Sequence, residues 1–273
     1  MKDRLLPLQY VLLVLFSLVI FTPLAIVFFG AFKTSGELFN NPYSFPGKPV
    51  FENFKEALIQ GNMLIYFKNS FIISFVSLAV ILLFSTLSSY AITRQGFRMG
   101  NKIYIYFVFG IIVPSQAVMI PTYIMMARLG LVNTMWSVII IYIATTMGFS
   151  IFILSGFFRT IPRELDEAAV IDGCNEIQAF WKVILPLCKP AVTTVLILNL
   201  LTIWNDFYNP LLYIRSEDIK TLSLGLSKYM GRYITNYPIM FAAVVMASLP
   251  VIAVFVGLQK QFVSGITAGS VKG

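Results

Sequence analysis

Five of the twelve acidic residues in this 273-residue chain lie between positions 164 and 176. They are Glu164, Asp166, Glu167, Asp172 and Glu176. Grouped carboxylates can exchange protons or hold a metal ion, but the chain has no histidine, the commonest general base and metal ligand. Its two cysteines, Cys174 and Cys188, fit neither a closely spaced Cys-x-x-Cys metal motif nor a disulfide framework. We therefore expect no catalytic residue and no metal site in this chain.

A second set of polar residues lies in apolar surroundings. Asn199, Thr202, Asp206 and Asn209 recur at i, i+3, i+7 and i+10, which predicts one polar stripe on a helix. Such a stripe either lines a substrate pathway or holds the helix against a neighbour. Gln116 is a further pathway candidate, because Pro114 and Pro121 are expected to kink its helix and free backbone carbonyls.

The energy source for any transport is not visible in the chain. A phosphate-binding loop of the form G-x-x-x-x-G-K-[ST] is missing, since Gly47-Lys48 is followed by Pro49. We therefore expect a partner to supply the energy. The alternative is an ion-coupled secondary transporter that uses Asp206, the one strong ionisable candidate inside an apolar segment.

The composition places these residues in a membrane protein. Hydrophobic residues make up 58% of the chain and charged residues only 12%, about half the usual share. Too little polar surface remains to cover a soluble globule, and disorder requires the opposite composition. The net charge of +8 fits loops that face anionic lipid better than a nucleic-acid surface.

Apolar runs of about 20 residues predict membrane-spanning helices, and we expect six of them. Their approximate bounds are 10–32, 69–93, 103–126, 134–158, 191–213 and 238–258. They form a single transmembrane domain, 10–260, between an N-terminal segment, 1–9, and a C-terminal tail, 261–273. Arginine and lysine favour the cytoplasmic side in short loops, and 94–102 holds three whereas 127–133 holds one. Both termini are therefore expected in the cytoplasm.

The loop at 159–189 predicts two short helices. Thr160 is a candidate N-cap, Pro162 suits the first turn, and Gly173 ends the first helix. One face of this helix would carry Leu165, Ala168, Ala169 and Asp172, where the alanines allow a close approach by another backbone. The alternative is a solvated loop with one interfacial helix.

The second helix is expected to begin at Asn175, with Gln178 completing a capping box. Pro186 is expected to stop it. Its apolar stripe would consist of Ile177, Phe180, Trp181 and Ile184.

The string Glu167-Ala168-Ala169, Asp172-Gly173, Ile184-Leu185-Pro186 resembles the EAA signature of ABC-importer permeases. Pro121-Thr122-Tyr123, Trp204-Asn205-Asp206-Phe207 and the C-terminal residues 261–273 extend the resemblance to the smaller permease subunit of maltose-type carbohydrate importers. It implies an all-α, polytopic bundle with the type I importer permease (MetI-like) fold. The loop 159–189 would then be the EAA coupling loop. Its ATPase-coupling residues would be Glu167, Ala168, Ala169, Asp172, Gly173, Leu185 and Pro186.

The resemblance also implies partners. They are a second, homologous permease subunit, two ATPase subunits that bind ATP and Mg, and an extracytoplasmic sugar-binding protein. This chain would hold no cofactor and would lie in the cytoplasmic membrane of a bacterium or archaeon. Its C-terminal tail would either reach toward the ATPase, with Gly265, Gly269 and Gly273 permitting close approach, or fray.

Overall fold

The computed structural model describes residues 2–59, 61–94, 98–229 and 236–270, and within these the side chains of residues 9–265. The described residues form helices and connecting turns, with no β-strand among them. The α-helices are α1 (Lys2–Gly30), α2 (Ser35–Asn40), α3 (Glu52–Ile59), α4 (Met63–Arg94), α5 (Gly100–Ile112), α6 (Met119–Arg128), α7 (Met135–Phe158), α8 (Glu164–Ile171), α9 (Glu176–Ala179), α10 (Leu185–Leu187), α11 (Lys189–Asn205), α12 (Tyr208–Tyr213), α13 (Leu222–Leu226) and α14 (Tyr237–Ser270). A π-helical turn, Phe180–Ile184, joins α9 to α10, and two 3₁₀ turns, Glu217–Ile219 and Ser227–Tyr229, flank α13.

The chain divides into two compact units. The first consists of Met1–Phe67 with Leu222–Leu249, and the second of Lys68–Thr221 with Pro250–Gly273. Two of the three boundaries fall inside α4 and α14, and the third lies directly before α13.

In the first unit, the polar segment after α1 folds back on the end of that helix. Lys33 is fully buried, and its ammonium donates hydrogen bonds to the carbonyls of Asn41 and Pro42 and to Ser44 Oγ, at 2.7, 3.3 and 3.2 Å. The Asn53 amide donates to the carbonyls of Ala31 and Lys33, both at 2.9 Å. A buried ammonium requires such acceptors, so this network fixes the segment.

The second unit is built around α7, which packs against α5, α11 and α12. About half of the most apolar window of α7 is buried. Beside it, a cluster of buried side chains joins α4, α7 and the segment from α9 to α11. Its central members include Tyr90, Phe158, Phe180 and Ile184. This core places the loop 159–189 directly against the ends of two long helices.

Four helices within the described residues are long and apolar enough to cross a membrane: α1, α4, α7 and α14. A fifth span results if Glu176–Leu187 and Lys189–Asn205, which meet at 74°, are counted together. Six continuous spans are therefore not confirmed. The two predicted spans that do not form one continuous helix are the third and the fifth.

The third predicted span, 103–126, is broken. Helix α5 ends at Ile112 and α6 begins at Met119, with Pro114 in the gap. Pro121 lies in the first turn of α6, where its missing N–H has no helical partner to lose. The sequence predicted a kink at the two prolines. In the structure the helix is instead completely interrupted at Pro114. The fifth predicted span, 191–213, is interrupted after Asn205.

The outer bounds of other spans also differ from those expected. Helix α1 begins at Lys2, and α4 begins at Met63, before residue 69. Helix α14 continues to Ser270, so the tail that was expected to extend or fray from 261 is helical to that point. Gly273 lies outside the described residues.

Candidate functional site

Helix α8 begins without a side-chain cap. The cap position is occupied by Arg163, and the hydroxyl of Thr160 donates to the Phe157 carbonyl at 2.8 Å. The predicted Thr160 cap is therefore wrong, because Thr160 completes the turn that ends α7. Glu164, Asp166 and Glu167 do occupy the first turn of α8, where the helix dipole favours negative charge.

The end of α8 follows the sequence prediction. Gly173 has a φ of +81°, in the left-handed region that glycine adopts without Cβ strain. The amide of Gly173 donates to the Val170 carbonyl at 3.0 Å, and that of Cys174 donates to the Ala169 carbonyl at 2.9 Å. This pair of bonds is a Schellman motif, so Gly173 sets the angle at which the chain leaves α8.

The second helix begins at the predicted capping box. Asn175 Oδ1 accepts from the Gln178 amide at 2.9 Å, and Gln178 Oε1 accepts from the Asn175 amide at 3.1 Å. Pro186 does not stop this helix, which ends at Leu187. The π-helical turn before it, in which the Leu185 amide donates to the Phe180 carbonyl, gives the proline ring room. The chain then bends by 74° at Cys188.

In each helix of this loop, the residues expected to share one face are partly buried and partly exposed. Ala169 is buried against the chain, whereas Ala168 is exposed. In the second helix Phe180 and Ile184 are buried, but Ile177 and Trp181 are 71% and 48% exposed. The four residues expected on one apolar stripe are therefore not buried together.

The exposed side of α8 carries two apolar residues that the sequence analysis did not select. Val170 and Ile171 are 60% and 85% exposed. They border a depression of about 430 Å³ whose polar members include Asp166, Glu167 and Glu176. Two consecutive β-branched residues at the end of the predicted helix were the available signal in the sequence. An apolar, acid-rimmed surface of this kind suits a protein partner.

Arg94, the last residue of α4, was also missed. Its side chain is 3% exposed and forms an ion pair with Asp166 at 2.6 Å. The same guanidinium donates to the carbonyls of Ile161 and Pro162, at 2.6 and 3.0 Å. The loop 159–189 is thereby fixed to α4. In the sequence, Arg94 is a basic residue at the end of an apolar run, and this feature alone indicates only membrane orientation.

A second candidate region is a cavity of about 880 Å³ beside α7. Its wall includes the break between α5 and α6 and the break between α11 and α12. Four of the five predicted pathway residues line it: Gln116, Thr202, Asp206 and Asn209. Hydroxyl and amide groups complete the polar part of the wall, contributed by Ser115, Thr122, Tyr142, Thr145, Thr146 and Asn205.

Asn199 lies apart from these four. It is 2% exposed, and its amide donates to Ser150 Oγ on α7 and to the Val195 carbonyl, both at 2.9 Å. It therefore joins α11 to α7 rather than facing the cavity. The polar stripe was expected either to line a substrate pathway or to hold its helix against a neighbour. The contacts of Asn199 agree with the second alternative.

Asp206 stands at the break after α11 and not within a continuous helix. Its carboxylate accepts from Tyr142 Oη at 2.9 Å, from the Tyr208 amide at 2.9 Å and from Asn209 Nδ2 at 2.8 Å. The carboxylate thus lies at the start of α12, where free amides need acceptors. The expected polar stripe therefore does not lie on one continuous helix. Helix α11 ends within it, and the Asp206 carboxylate caps α12.

The comparisons with known proteins agree with this architecture. Residues 84–268 match the model of a family described as "Binding-protein-dependent transport system inner membrane component". The chain is 35% identical over 268 residues to the multiple sugar-binding transport system permease protein MsmG of Streptococcus mutans, covering 97% of this chain and 96% of the relative. It is 32% identical over 254 residues to the melibiose/raffinose/stachyose import permease protein MelC of Bacillus subtilis, covering 93% and 92%.

The fold also occurs in a solved structure, that of a bacterial ABC transporter involved in the import of the acidic polysaccharide alginate. The TM-score is 0.85 at 24% identity, and the match covers 96% of this chain and 98% of the solved chain. The two chains therefore share their overall fold.

Proposed function

This chain belongs to the family of binding-protein-dependent transport system inner membrane components, and from that premise we propose that it conducts an oligosaccharide or a related sugar across a membrane. As a member it is a multi-pass permease subunit of an ABC importer and has no catalytic activity of its own. It works with an ATPase and with a substrate-binding protein. The sugar class is supported by the relatives, whose names specify multiple sugars and melibiose, raffinose and stachyose.

The assembly we propose contains this chain, a second homologous permease subunit, two ATPase subunits and one extracytoplasmic sugar-binding protein. ATP and Mg are bound by the ATPase subunits. Both termini of this chain lie on the cytoplasmic side of a bacterial or archaeal cytoplasmic membrane. The charge difference between the short loops 94–102 and 127–133 supports this orientation.

The observation that carries the coupling role is the exposed face of α8 beside a turn that local hydrogen bonds fix. A Schellman motif at Gly173 and a capping box at Asn175 fix both sides of the turn after α8. Ala168, Val170 and Ile171 remain exposed on it. We assign these residues, with Glu167, Asp172, Leu185 and Pro186, to the segment that docks on the ATPase.

The cavity beside α7 supports the nature of the cargo. Its polar wall consists mainly of hydroxyl and amide groups, which pair with sugar hydroxyls as donors and acceptors. Its one acidic side chain, Asp206, already accepts hydrogen bonds from neighbouring groups. Gln116, Thr202, Asn205 and Asn209 are the residues we expect the sugar to contact.

The mechanism follows from two global states of the importer. ATP binding closes the ATPase pair, and the motion reaches the spans through α8 and opens the cavity to the outside. The loaded binding protein stabilises the same outward state, and hydrolysis resets the assembly. Each ligand shifts the equilibrium only through its different affinity for the two states.

The test is sugar uptake by the whole importer in proteoliposomes, with its binding protein outside and ATP inside. The substrate is a radiolabelled sugar chosen by a thermal-shift screen of the binding protein against melibiose, raffinose and maltooligosaccharides. We expect uptake that requires ATP and that falls about tenfold in Gly173→Val, because a φ of +81° strains a β-branched residue.

Gly156→Ala is the matched control, since an added Cβ at Gly156 meets no atom within 4 Å. Uptake by this chain alone, driven by a proton or sodium gradient, would overturn the proposal in favour of the ion-coupled alternative. The family does not support that alternative.

A further inference from the structure

We propose that Arg94 is a positioning residue that makes α4, the end of α7 and the coupling helix α8 move together. This inference rests on the proposed function, since it concerns how force from the ATPase enters the spans. Arg94 lies at the end of α4, 72 positions before Asp166 in the chain. It lines the depression that Val170 and Ile171 border, and it is not among the residues that line the cavity beside α7.

The contacts of one guanidinium reach three elements. Nη1 donates to the Ile161 carbonyl at 2.6 Å and lies 3.5 Å from the carbonyl of Phe158, the last residue of α7. Nη2 donates to the Pro162 carbonyl at 3.0 Å and pairs with Asp166 Oδ2, in the first turn of α8, at 2.6 Å. The Phe158 carbonyl also accepts from the Ile161 backbone amide at 3.3 Å, so Arg94 contacts the turn that ends α7 and, through Asp166, the first turn of α8.

The chemistry of arginine suits this task. Its planar fork presents several N–H groups in a fixed geometry, whereas the ammonium of lysine is a single flexible point charge. One planar guanidinium contacts four acceptor oxygens, so the segments that carry these oxygens cannot move independently. A displacement of α8 is therefore passed to α4 and to the end of α7.

Burial strengthens the linkage. The Arg94 side chain is 3% exposed and that of Asp166 is 26% exposed, so water screens the pair only weakly. Tyr90, Phe158 and Phe180 belong to the apolar core on this side of the loop. Separation of Arg94 from Asp166 would leave two charges without a partner beside this apolar core. The ion pair therefore stays formed when the ATPase displaces α8.

The alternative is that Arg94 only stabilises the fold. A purely structural role would reduce the number of assembled importers, and uptake and ATP hydrolysis would fall together. A positioning role would leave assembled importers that hydrolyse ATP without moving sugar. The ratio of sugar imported to ATP hydrolysed distinguishes the two roles.

The experiment measures this ratio in proteoliposomes that contain the whole importer and its binding protein, with the labelled sugar identified above. The variants are Arg94→Met, Arg94→Lys and Asp166→Asn. Arg98→Met is the matched control, because Arg98 is an exposed arginine in the same segment. Co-purification of the ATPase with each variant measures assembly.

We expect Arg94→Met to lower the ratio by about fivefold or more, the range of an ordinary allosteric coupling. Arg94→Lys should restore part of it, because the charge remains while the fork is lost. Asp166→Asn, which keeps the side-chain volume and leaves the carbonyl contacts of Arg94 intact, should lower the ratio in the same direction. Arg98→Met should leave it unchanged.

Ratios in Arg94→Met and Asp166→Asn within about twofold of the wild type would overturn the inference. If Arg94→Met does not assemble, the ratios in Arg94→Lys and Asp166→Asn decide the question in the same way. Wild-type importer that takes up no sugar with ATP would instead overturn the proposed function, and this inference with it.

Discussion

The phenol of Tyr142 donates a hydrogen bond to Oδ2 of Asp206 at 2.9 Å. This bond joins α7 to the point where α11 ends and α12 begins. Asp206 also accepts from the Tyr208 amide and from the Asn209 side chain, so its carboxylate caps a helix inside the bundle. Local hydrogen bonds thereby explain an acidic side chain between two apolar helices, without a coupling ion.

We first predict that Tyr142→Phe lowers the stability of the purified importer by about 1 kcal/mol, because Asp206 loses one donor in a weakly solvated region. Thermal unfolding in detergent measures the change. Tyr106→Phe is the control, since Tyr106 is 73% exposed on α5. Equal effects of the two substitutions would contradict the assigned hydrogen bond.

The second prediction concerns Asp206 itself. Asp206→Asn keeps one acceptor at the start of α12, so we expect ATP-driven uptake to persist with a loss of about tenfold or less. Collapsing the proton and sodium gradients should leave uptake by wild type and variant unchanged. Abolition of uptake by gradient collapse, with ATP still supplied, would argue for ion coupling.

The third prediction separates Asn199 from the cavity residues. Asn199→Ala and Ser150→Ala each remove one side of the contact between α11 and α7, so their effects on stability should be non-additive by about 0.6 kcal/mol. The KM for sugar uptake should stay unchanged in both, whereas Thr202→Val, at the cavity wall, should raise it. A KM shift in Asn199→Ala at unchanged stability would place Asn199 in the pathway.

The fourth prediction contrasts two adjacent alanines of α8, the helix that we propose docks on the ATPase. Ala169 is 3% exposed, so Ala169→Leu should destabilise the chain by about 1–3 kcal/mol through overpacking. Ala168 is exposed, so Ala168→Leu should leave stability unchanged and weaken co-purification of the ATPase. The reverse pattern would show that α8 presents the other face to its partner.

The fifth prediction tests the approach of α14 to α11. A Cβ added at Gly265 would lie 2.6 Å from the Pro190 carbonyl and would also meet Thr194 Oγ1. Gly265→Ala should therefore lower the unfolding temperature, with a loss of about 1–3 kcal/mol.

The control for Gly265 lies in the same helix. At Gly257 an added Cβ meets nothing within 4 Å, so Gly257→Ala should be neutral or stabilising by up to about 1 kcal/mol. Stabilisation by both substitutions would mean that α14 does not pack closely on the start of α11.

The sequence predicted those features that depend on a few neighbouring residues. Gly173 ends α8 and Asn175 with Gln178 begins the next helix, since a cap or a left-handed residue acts on amides within one turn. The apolar runs likewise predicted helices, because backbone groups in lipid must pair within their own segment. Pro114 predicted a distortion, although not a complete break.

The tertiary structure alone decided the contacts between distant segments. Arg94 with Asp166, and Tyr142 with Asp206, are 72 and 64 positions apart, and only the packing of α4, α7 and α11 brings them together. It also decided which alanine of α8 is exposed and that Asn199 faces Ser150 rather than the cavity. Helical periodicity defines which residues share a face, but the neighbouring helices determine which face is buried.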